Sequence, residues 1–542
     1  MFKVIIILMI LVHNAHAHSY ALATAHPLAT QAGVEVLDNG GNAFDAAVAI
    51  SAALAVVEPY GSGIGGGGFW LLHEAKTNSD VVIDGREVAP LAATKNMYLD
   101  EHGKPTRDSV DGPRAAGIPG VVAALDYISE HYGKRPLSAN LAAAIRYARD
   151  GFIPGEQYQR FIKMRADTLS KSPAAEKIFL QSEQARLIQK DLAHSLQLIA
   201  THGQEVFYQG ELAIQLVNGV QAAGGIWQLE DLQQYQIKLR TPIRSSYKDL
   251  TLILPPPPTS GGVVLTQILA MLEPYDLSQY QPSQMTHIVV EAMRRAYQDR
   301  ALYLGDPDFT DIPMQKLLNR QYAQTKFKTF DPQHASVSQT LATIEANEGQ
   351  DTTHFSVIDA EGNYVAATLS INYPFGSGFV APGTGILLND EMDDFVIAEG
   401  VGNVYGLVGS SANAIEPKKR MLSSMTPLFA YSKDRLLIAG TPGGSRIISM
   451  LALALIEFQQ GATSEQIVKR ERFHHQYIPD VIQFEKNALS EHVQQMLVKK
   501  GHTLKQINYR YGNMQVISKH RHKGHLTAAS DPRGEGLAIV KP

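Results

Sequence analysis

Polar and apolar positions divide this chain into blocks. Val4 to Val12 is an unbroken apolar run. Asn42 to Val57 is rich in Ala and Val, bounded by Asn39-Gly40-Gly41 before and Glu58-Pro59 after, and predicts a buried helix. The glycine run Gly61 to Gly68 follows, and Phe69-Trp70-Leu71-Leu72 predicts a strand. Residues 120 to 330 read as mostly helical, with amphipathic stretches such as Met285 to Leu302. Asp331 to Gln350 is polar and without periodicity, a linker that ends at Asp351. Strand patterns dominate beyond it: Thr353 to Ile358, Tyr364 to Ile371, Leu428 to Tyr431 and Leu436 to Ala439. A helix over Arg446 to Gln459 precedes a mixed C-terminus. Helices and strands in such blocks predict a layered α+β protein.

The leading apolar run changes the picture of location. Lys3 supplies a positive end, and Ala15-His16-Ala17 supplies a small-x-small cleavage pattern, so residues 1–17 read as an export signal with the mature chain from His18. A buried N-terminal strand or helix is the alternative. The run is far shorter than the roughly 20 residues of a membrane span. The 542 residues carry no cysteine and no Asn-x-Ser/Thr sequon, which fits a bacterial periplasmic or secreted protein better than a secreted eukaryotic one. Net charge is −5, and no basic run suggests nucleic acid.

Two tempting motifs point elsewhere. Gly63-x-Gly65-x-x-Gly68 matches a dinucleotide fingerprint, but that motif needs a strand before and a helix after. Here the order is reversed, so close approach of the backbone to a strand or ligand is the better reading. His474-His475 has no further ligands at zinc spacing and predicts hydrogen bonding rather than a metal.

The informative string is Asp351-Thr352-Thr353-His354-Phe355-Ser356-Val357-Ile358. A three-residue hairpin loop, Ala360-Glu361-Gly362, places Thr352 opposite Ser370, with Asn372 two residues further on; a slip of one would turn Ser370 away. A threonine hydroxyl is a poor nucleophile without a base. Cleavage between Asp351 and Thr352 would free an α-amine, whose pKa of about 7.7–8.0 suits it to that task. The Thr352 hydroxyl could make the cut itself by attacking the Asp351 carbonyl. Hydroxyls in Leu422-Ser423-Ser424-Met425-Thr426, a tight loop at Gly440-Thr441-Pro442-Gly443-Gly444-Ser445-Arg446 and carboxylates in Glu391-Met392-Asp393-Asp394 keep it company.

These pieces, with Asp84-Gly85-Arg86-Glu87, Arg472-Phe473-His474-His475 and Ser530-Asp531-Pro532-Arg533, lie in order along nearly the whole chain. Together they resemble the γ-glutamyltransferase (glutathione hydrolase) family of N-terminal nucleophile hydrolases. The resemblance implies a four-layer αββα sandwich and a precursor cut into two chains, 18–351 and 352–542, that stay together as a heterodimer. It implies Thr352 as nucleophile, with Ser370 bonded to its amine, and the Gly443 and Gly444 amides as oxyanion hole. Arg86, Ser423 and Ser424 would hold the α-carboxylate of a γ-glutamyl group, and Asn372, Glu391 and Asp394 its α-ammonium. The charges suit a zwitterion. Glutathione and other γ-glutamyl compounds would be donors, water or amino acids and peptides acceptors, and no cofactor or metal is called for.

Ser370 departs from the family, in which many members have Thr there. Glu399 to Ala414 is similar to the lid of lid-bearing members, with Tyr405 as gate, or else is an ordinary surface loop. Two rival readings stand: a glutaryl-type β-lactam acylase of the same fold, and a non-catalytic γ-glutamyl-binding protein.

Overall fold

The computed structural model describes residues 19–180, 186–338, 352–398 and 400–542. The expected export signal, residues 339–350 of the linker, Asp351 and Glu399 lie outside them. Sixteen strands are present among the described residues: β1 (Tyr20–Thr24), β2 (Gly67–Glu74), β3 (Ser79–Asp84), β4 (Lys238–Arg240), β5 (Ile243–Tyr247), β6 (Leu250–Leu254), β7 (Thr353–Ile358), β8 (Tyr364–Ser370), β9 (Leu428–Tyr431), β10 (Arg435–Gly440), β11 (Phe473–His474), β12 (Ile482–Phe484), β13 (Leu504–Gln506), β14 (Gln515–His520), β15 (Leu526–Ser530) and β16 (Leu537–Lys541). One sheet runs β16-β1-β7-β8-β2-β3-β4, a second β15-β14-β10-β9-β6-β5, and a small third β11-β12-β13. Every pairing within the two large sheets is antiparallel.

The strand period of two sends alternate residues of β2 into different cores. Trp70 and Leu72 join one core with the helix Ala43–Val57, and the Trp70 indole N–H donates to Ser51 Oγ at 3.1 Å. Phe69 and Leu71 join the other, with β6, β9, β10 and the helices Gly261–Leu272, Pro282–Tyr303 and Arg446–Gln459. The helix Ala43–Val57 is buried at every position, which explains its Ala and Val content on all faces. Asn42 caps it, accepting from Phe44 and Asp45 N–H, while Asp45 accepts from the Asn42 N–H in return.

The two large sheets also meet through polar groups. Ser356 on β7 donates to the carbonyls of Ile438 and Gln515 in the second sheet at 3.3 and 3.1 Å, while within the first sheet His354 shares a 2.8 Å bond with Thr368. Burial pushes the His354 imidazole down to about 3, so it is neutral there. The β10 residue opposite it must be Gly440, because a Cβ would stand 2.2 Å from the His354 ring.

The β7–β8 hairpin has the predicted register. Thr353 pairs with Leu369 and Ile358 with Tyr364, and Gly362 takes φ +91° in the loop. The helical reading of 120–330 needs a correction, since β4, β5 and β6 lie inside it. The run from Lys238 to Leu254 is short, and its strands are completed by tertiary partners from distant segments: β4 pairs with β3, and β6 of the β5–β6 hairpin pairs with β9. Among the described residues no helix is long and apolar enough to cross a membrane.

Candidate active site

The glycine run enters beneath the end of β8. A Cβ on Gly66 would stand 2.3 Å from the Ser370 carbonyl oxygen, and one on Gly65 2.2 Å from that of Leu387. Close backbone approach, not a dinucleotide, is what the run provides. The helix precedes it and the strand follows, the reverse of the nucleotide-binding order.

That approach brings the expected residues to one small cleft, lined among others by Arg86, Thr352, Ser370, Asn372, Glu391, Asp394, Tyr405, Ser423, Ser424 and Gly444. Gly443 is the neighbour of the last of these. Thr352 immediately precedes β7, and its hydroxyl lies 3.2 Å from the Ser370 hydroxyl at the end of β8. Ser370 Oγ also accepts the Asn372 N–H at 2.8 Å. Two non-glycine residues here have left-handed backbones: Thr352 at φ +111° and Asn372 at φ +71°. For a β-branched residue such a φ is strained, of order 1–3 kcal/mol.

Arg86 follows β3. Its guanidinium is ion-paired with Glu391 and, at 2.6 Å, with Asp394, and its Nε donates to the Met421 carbonyl at 3.2 Å. The sequence reading set Arg86 apart for one end of a zwitterion and Glu391 and Asp394 for the other; the structure joins them directly. Burial alone would lower the Arg86 pKa, but the carboxylates of Glu391, Glu87 and Asp394 outweigh it and hold it raised. Burial pushes Glu391 up to about 7, against the opposing pull of Arg86, and raises Glu87 further. Asp394 Oδ1 accepts from Asn403 Nδ2 at 2.8 Å, tying it to the 399–414 loop.

Ser423 and Ser424 sit on a segment pinned from behind. Ser260 N and Oγ each donate to the Ser423 carbonyl at 2.8 Å, and Thr259 and Ser423 form an isolated bridge. Ser424 Oγ accepts from Arg300 Nη2 at 3.3 Å. Gly443 and Gly444 have φ +133° and +55° and lead into the helix Arg446–Gln459, so their amides belong to a helix-entry loop of the kind that binds anions. Tyr405 crosses the cleft: its hydroxyl donates to the Asn372 carbonyl at 3.0 Å, Gln476 Nε2 donates to its carbonyl at 3.0 Å, and a Cβ on Gly444 would stand 2.5 Å from its ring.

Glu58 and Arg300 were not singled out from the sequence. Glu58, buried, takes the Thr353 hydroxyl at 2.6 Å and the Tyr60 hydroxyl at 3.2 Å, one residue from Thr352. For Glu58 the available signal was a charge closing a strongly apolar helix pattern.

His474 and His475 are hydrogen-bonded, the former to Ser449 and Gln476, both at 2.8 Å, and the latter to Asp480 at 3.1 Å. Another group, His287, Glu291 and His502, has candidate ligand atoms within 4.8 Å of one another. It suits a metal poorly: the two rings bond each other at 2.7 Å, and Glu291 is ion-paired with Arg295 at 2.6 Å and Arg294 at 3.2 Å.

Residues 29–540 match the family model described as Gamma-glutamyltranspeptidase. The chain is 41% identical over 508 residues to the glutathione hydrolase proenzyme of Pseudomonas sp. (strain A14), covering 90% of this chain and 88% of that one. It is 39% identical over 534 residues to the glutathione hydrolase proenzyme of Escherichia coli (strain K12), covering 96% and 91%. It is 35% identical over 535 residues to the Acylase ACY 1 proenzyme of Pseudomonas sp. (strain V22), covering 96% and 93%. Among solved structures, a cephalosporin acylase from Bacillus halodurans superposes with a TM-score of 0.84 at 25% identity over 96% of both chains. The Helicobacter pylori gamma-glutamyltranspeptidase gives 0.56 at 42% identity over 58% of this chain and 92% of that one.

Proposed function

The chain belongs to the gamma-glutamyltranspeptidase family and is an enzyme of the glutathione hydrolase type, and we propose that it is an exported precursor that cuts itself before Thr352. The fold reads as a four-layer αββα sandwich, because β2 sends alternate side chains to a helix-covered core and to a second sheet that carries its own helices. The observation that carries the reading is the cleft. It gathers a hydroxyl nucleophile, a helix-entry glycine and charges of both signs from segments spread over the chain.

In the precursor Thr352 Oγ1 attacks the Asp351 carbonyl. The acyl group moves from nitrogen to oxygen, and water hydrolyses the resulting ester, leaving Asp351 with a carboxylate and Thr352 with a free amine. The strained φ of Thr352 favours this opening. In the mature enzyme the amine accepts the hydroxyl proton as Oγ1 attacks the γ-glutamyl carbonyl. The Gly443 and Gly444 amides stabilise the oxyanion. The C–N bond breaks, the proton passes to the leaving amine, and a glutamyl ester on Thr352 remains. Water or the amine of an amino acid or peptide then takes the acyl group and restores the hydroxyl.

The test is a denaturing gel with N-terminal sequencing, together with turnover of a γ-glutamyl anilide. The smaller band should begin Thr-Thr-His-Phe, and Thr352→Ala should leave one uncut, inactive chain. An uncut polypeptide with full amidase activity would overturn the mechanism. A glutaryl-type acylase is the second reading, favoured by the likeness to acylases. Activity on glutaryl amides but not on γ-glutamyl amides would select it.

A further inference from the structure

Arg300 lies on the helix Pro282–Tyr303, 5% exposed, directly behind the serine pair. Its Nε donates to Ser260 Oγ at 3.0 Å and its Nη2 to Ser424 Oγ at 3.3 Å. Several other buried arginines have a carboxylate at ion-pair distance: Arg86 has Glu391 and Asp394, Arg295 has Glu291, and Arg472 has Asp531. Among the described residues the hydrogen-bond partners of the Arg300 guanidinium are hydroxyls. Asp394 acts on it only at longer range, and burial draws its pKa down to about 10. A guanidinium held this way projects positive charge through the hydroxyls it touches instead of being cancelled at contact.

The direction of those bonds matters. Ser424 Oγ accepts from Arg300, so its own proton is left to point into the cleft. Ser260 Oγ also accepts from Arg300, which leaves its proton for the Ser423 carbonyl at 2.8 Å. One cation thus fixes both serines, one through its hydroxyl and the other through its backbone. Arg86, in contrast, is already paired with two carboxylates. Resting on the γ-glutamyl reading above, we propose that Arg300 is a positioning residue: it turns the Ser424 hydroxyl toward the substrate's α-carboxylate and adds the positive charge that Arg86, neutralised by Glu391 and Asp394, does not supply alone.

The experiment compares Arg300→Met, Arg300→Lys, Ser424→Ala and the Arg300→Met/Ser424→Ala double variant on two anilides. One carries a γ-glutamyl group; the other carries a 4-aminobutyryl group, which lacks only the α-carboxylate. Arg300→Met should raise KM for the γ-glutamyl anilide about tenfold or more with kcat changed far less, and leave kcat/KM for the 4-aminobutyryl anilide within about twofold. Arg300→Lys should recover part of the loss, and the double variant should be no worse than the poorer single one. Equal losses on both anilides, or additive losses, would overturn the proposal.

If Arg300→Met fails to fold or to cut itself, the cycle is run with Arg300→Gln in its place and the same criteria decide. Failure of wild-type protein to turn over either anilide counts against the functional reading instead. In that event calorimetry with L-glutamate and 4-aminobutyrate decides on Arg300 separately. Loss of glutamate binding alone in Arg300→Gln supports the role, and unchanged glutamate binding overturns it.

Discussion

The Thr352 hydroxyl stands 3.2 Å from that of Ser370, and Ser370 Oγ takes the Asn372 N–H at 2.8 Å. One serine therefore links the proposed nucleophile to the left-handed turn that carries Asn372. Ser370→Ala removes both contacts and strands a buried N–H, a loss of about 1–3 kcal/mol. Self-cleavage and kcat should each fall by roughly ten- to a hundredfold on that scale. Ser370→Thr keeps the oxygen and should stay within about threefold of wild type. Gel-monitored cleavage and anilide kinetics check both. Wild-type rates in Ser370→Ala would show that the contact is incidental.

Asp394 faces the cleft while bonded to Arg86 and Asn403. If it meets an α-ammonium, Asp394→Asn weakens a charge-assisted bond worth about 1.5–3 kcal/mol, so KM for a γ-glutamyl anilide should rise by roughly ten- to a hundredfold. A glutaryl anilide, which has no ammonium, should lose little. A parallel loss on both substrates would place Asp394 in the scaffold around Arg86 rather than in recognition.

The hairpin at the site was legible because its turn is local. Gly362 sets a three-residue loop, and that loop fixes the Thr352–Ser370 register without help from the rest of the fold. The helix Arg446–Gln459 and the strand Leu428–Tyr431 were legible for the same reason, an uninterrupted apolar pattern between clear boundaries. What sequence could not show was pairing across the chain. Arg86 meets Glu391 and Asp394 across some three hundred positions, and β4 to β6 are held by strands on both sides of them in sequence. Arg300 belongs to this second kind: on its helix it reads as one charge among several, and only the fold puts it behind Ser424.

Tyr405 lines the cleft and its hydroxyl donates to the Asn372 carbonyl, a bond that would hold it shut in the proposed role of gate. Tyr405→Phe deletes that bond, about 1 kcal/mol, and raises the open fraction of the loop by roughly fivefold. Water should then reach the acyl-enzyme more often, so the ratio of free glutamate to γ-glutamyl-dipeptide product rises at fixed acceptor concentration. Gly444→Ala acts oppositely: its Cβ would meet the Tyr405 ring at 2.5 Å on a backbone at φ +55°, so the amide it carries is displaced and turnover falls by about a hundredfold or more. An unchanged product ratio in Tyr405→Phe would remove the gate from the account.

Glu58 gives a pH signature. Burial pushes its carboxyl up to about 7 from an ordinary 4.5, partly opposed by the hydroxyls of Thr353 and Tyr60. Between those two values the folded protein keeps the proton that the unfolded chain has lost, so stability falls as pH rises through the window and stays lower above it. The change is on the order of 3 kcal/mol. Glu58→Gln cannot titrate, yet its amide oxygen still accepts from Thr353. Measured in the uncut Thr352→Ala background, where unfolding stays within one chain, the Gln variant should gain stability relative to its parent as pH rises from about 4.5 to above 7, by that same order. Other titrating groups are shared by the two proteins and cancel in the difference. A stability difference flat across this range would mean that Glu58 is ionised in the fold, and that the Thr353 hydroxyl meets a carboxylate beside the nucleophile rather than a neutral acid.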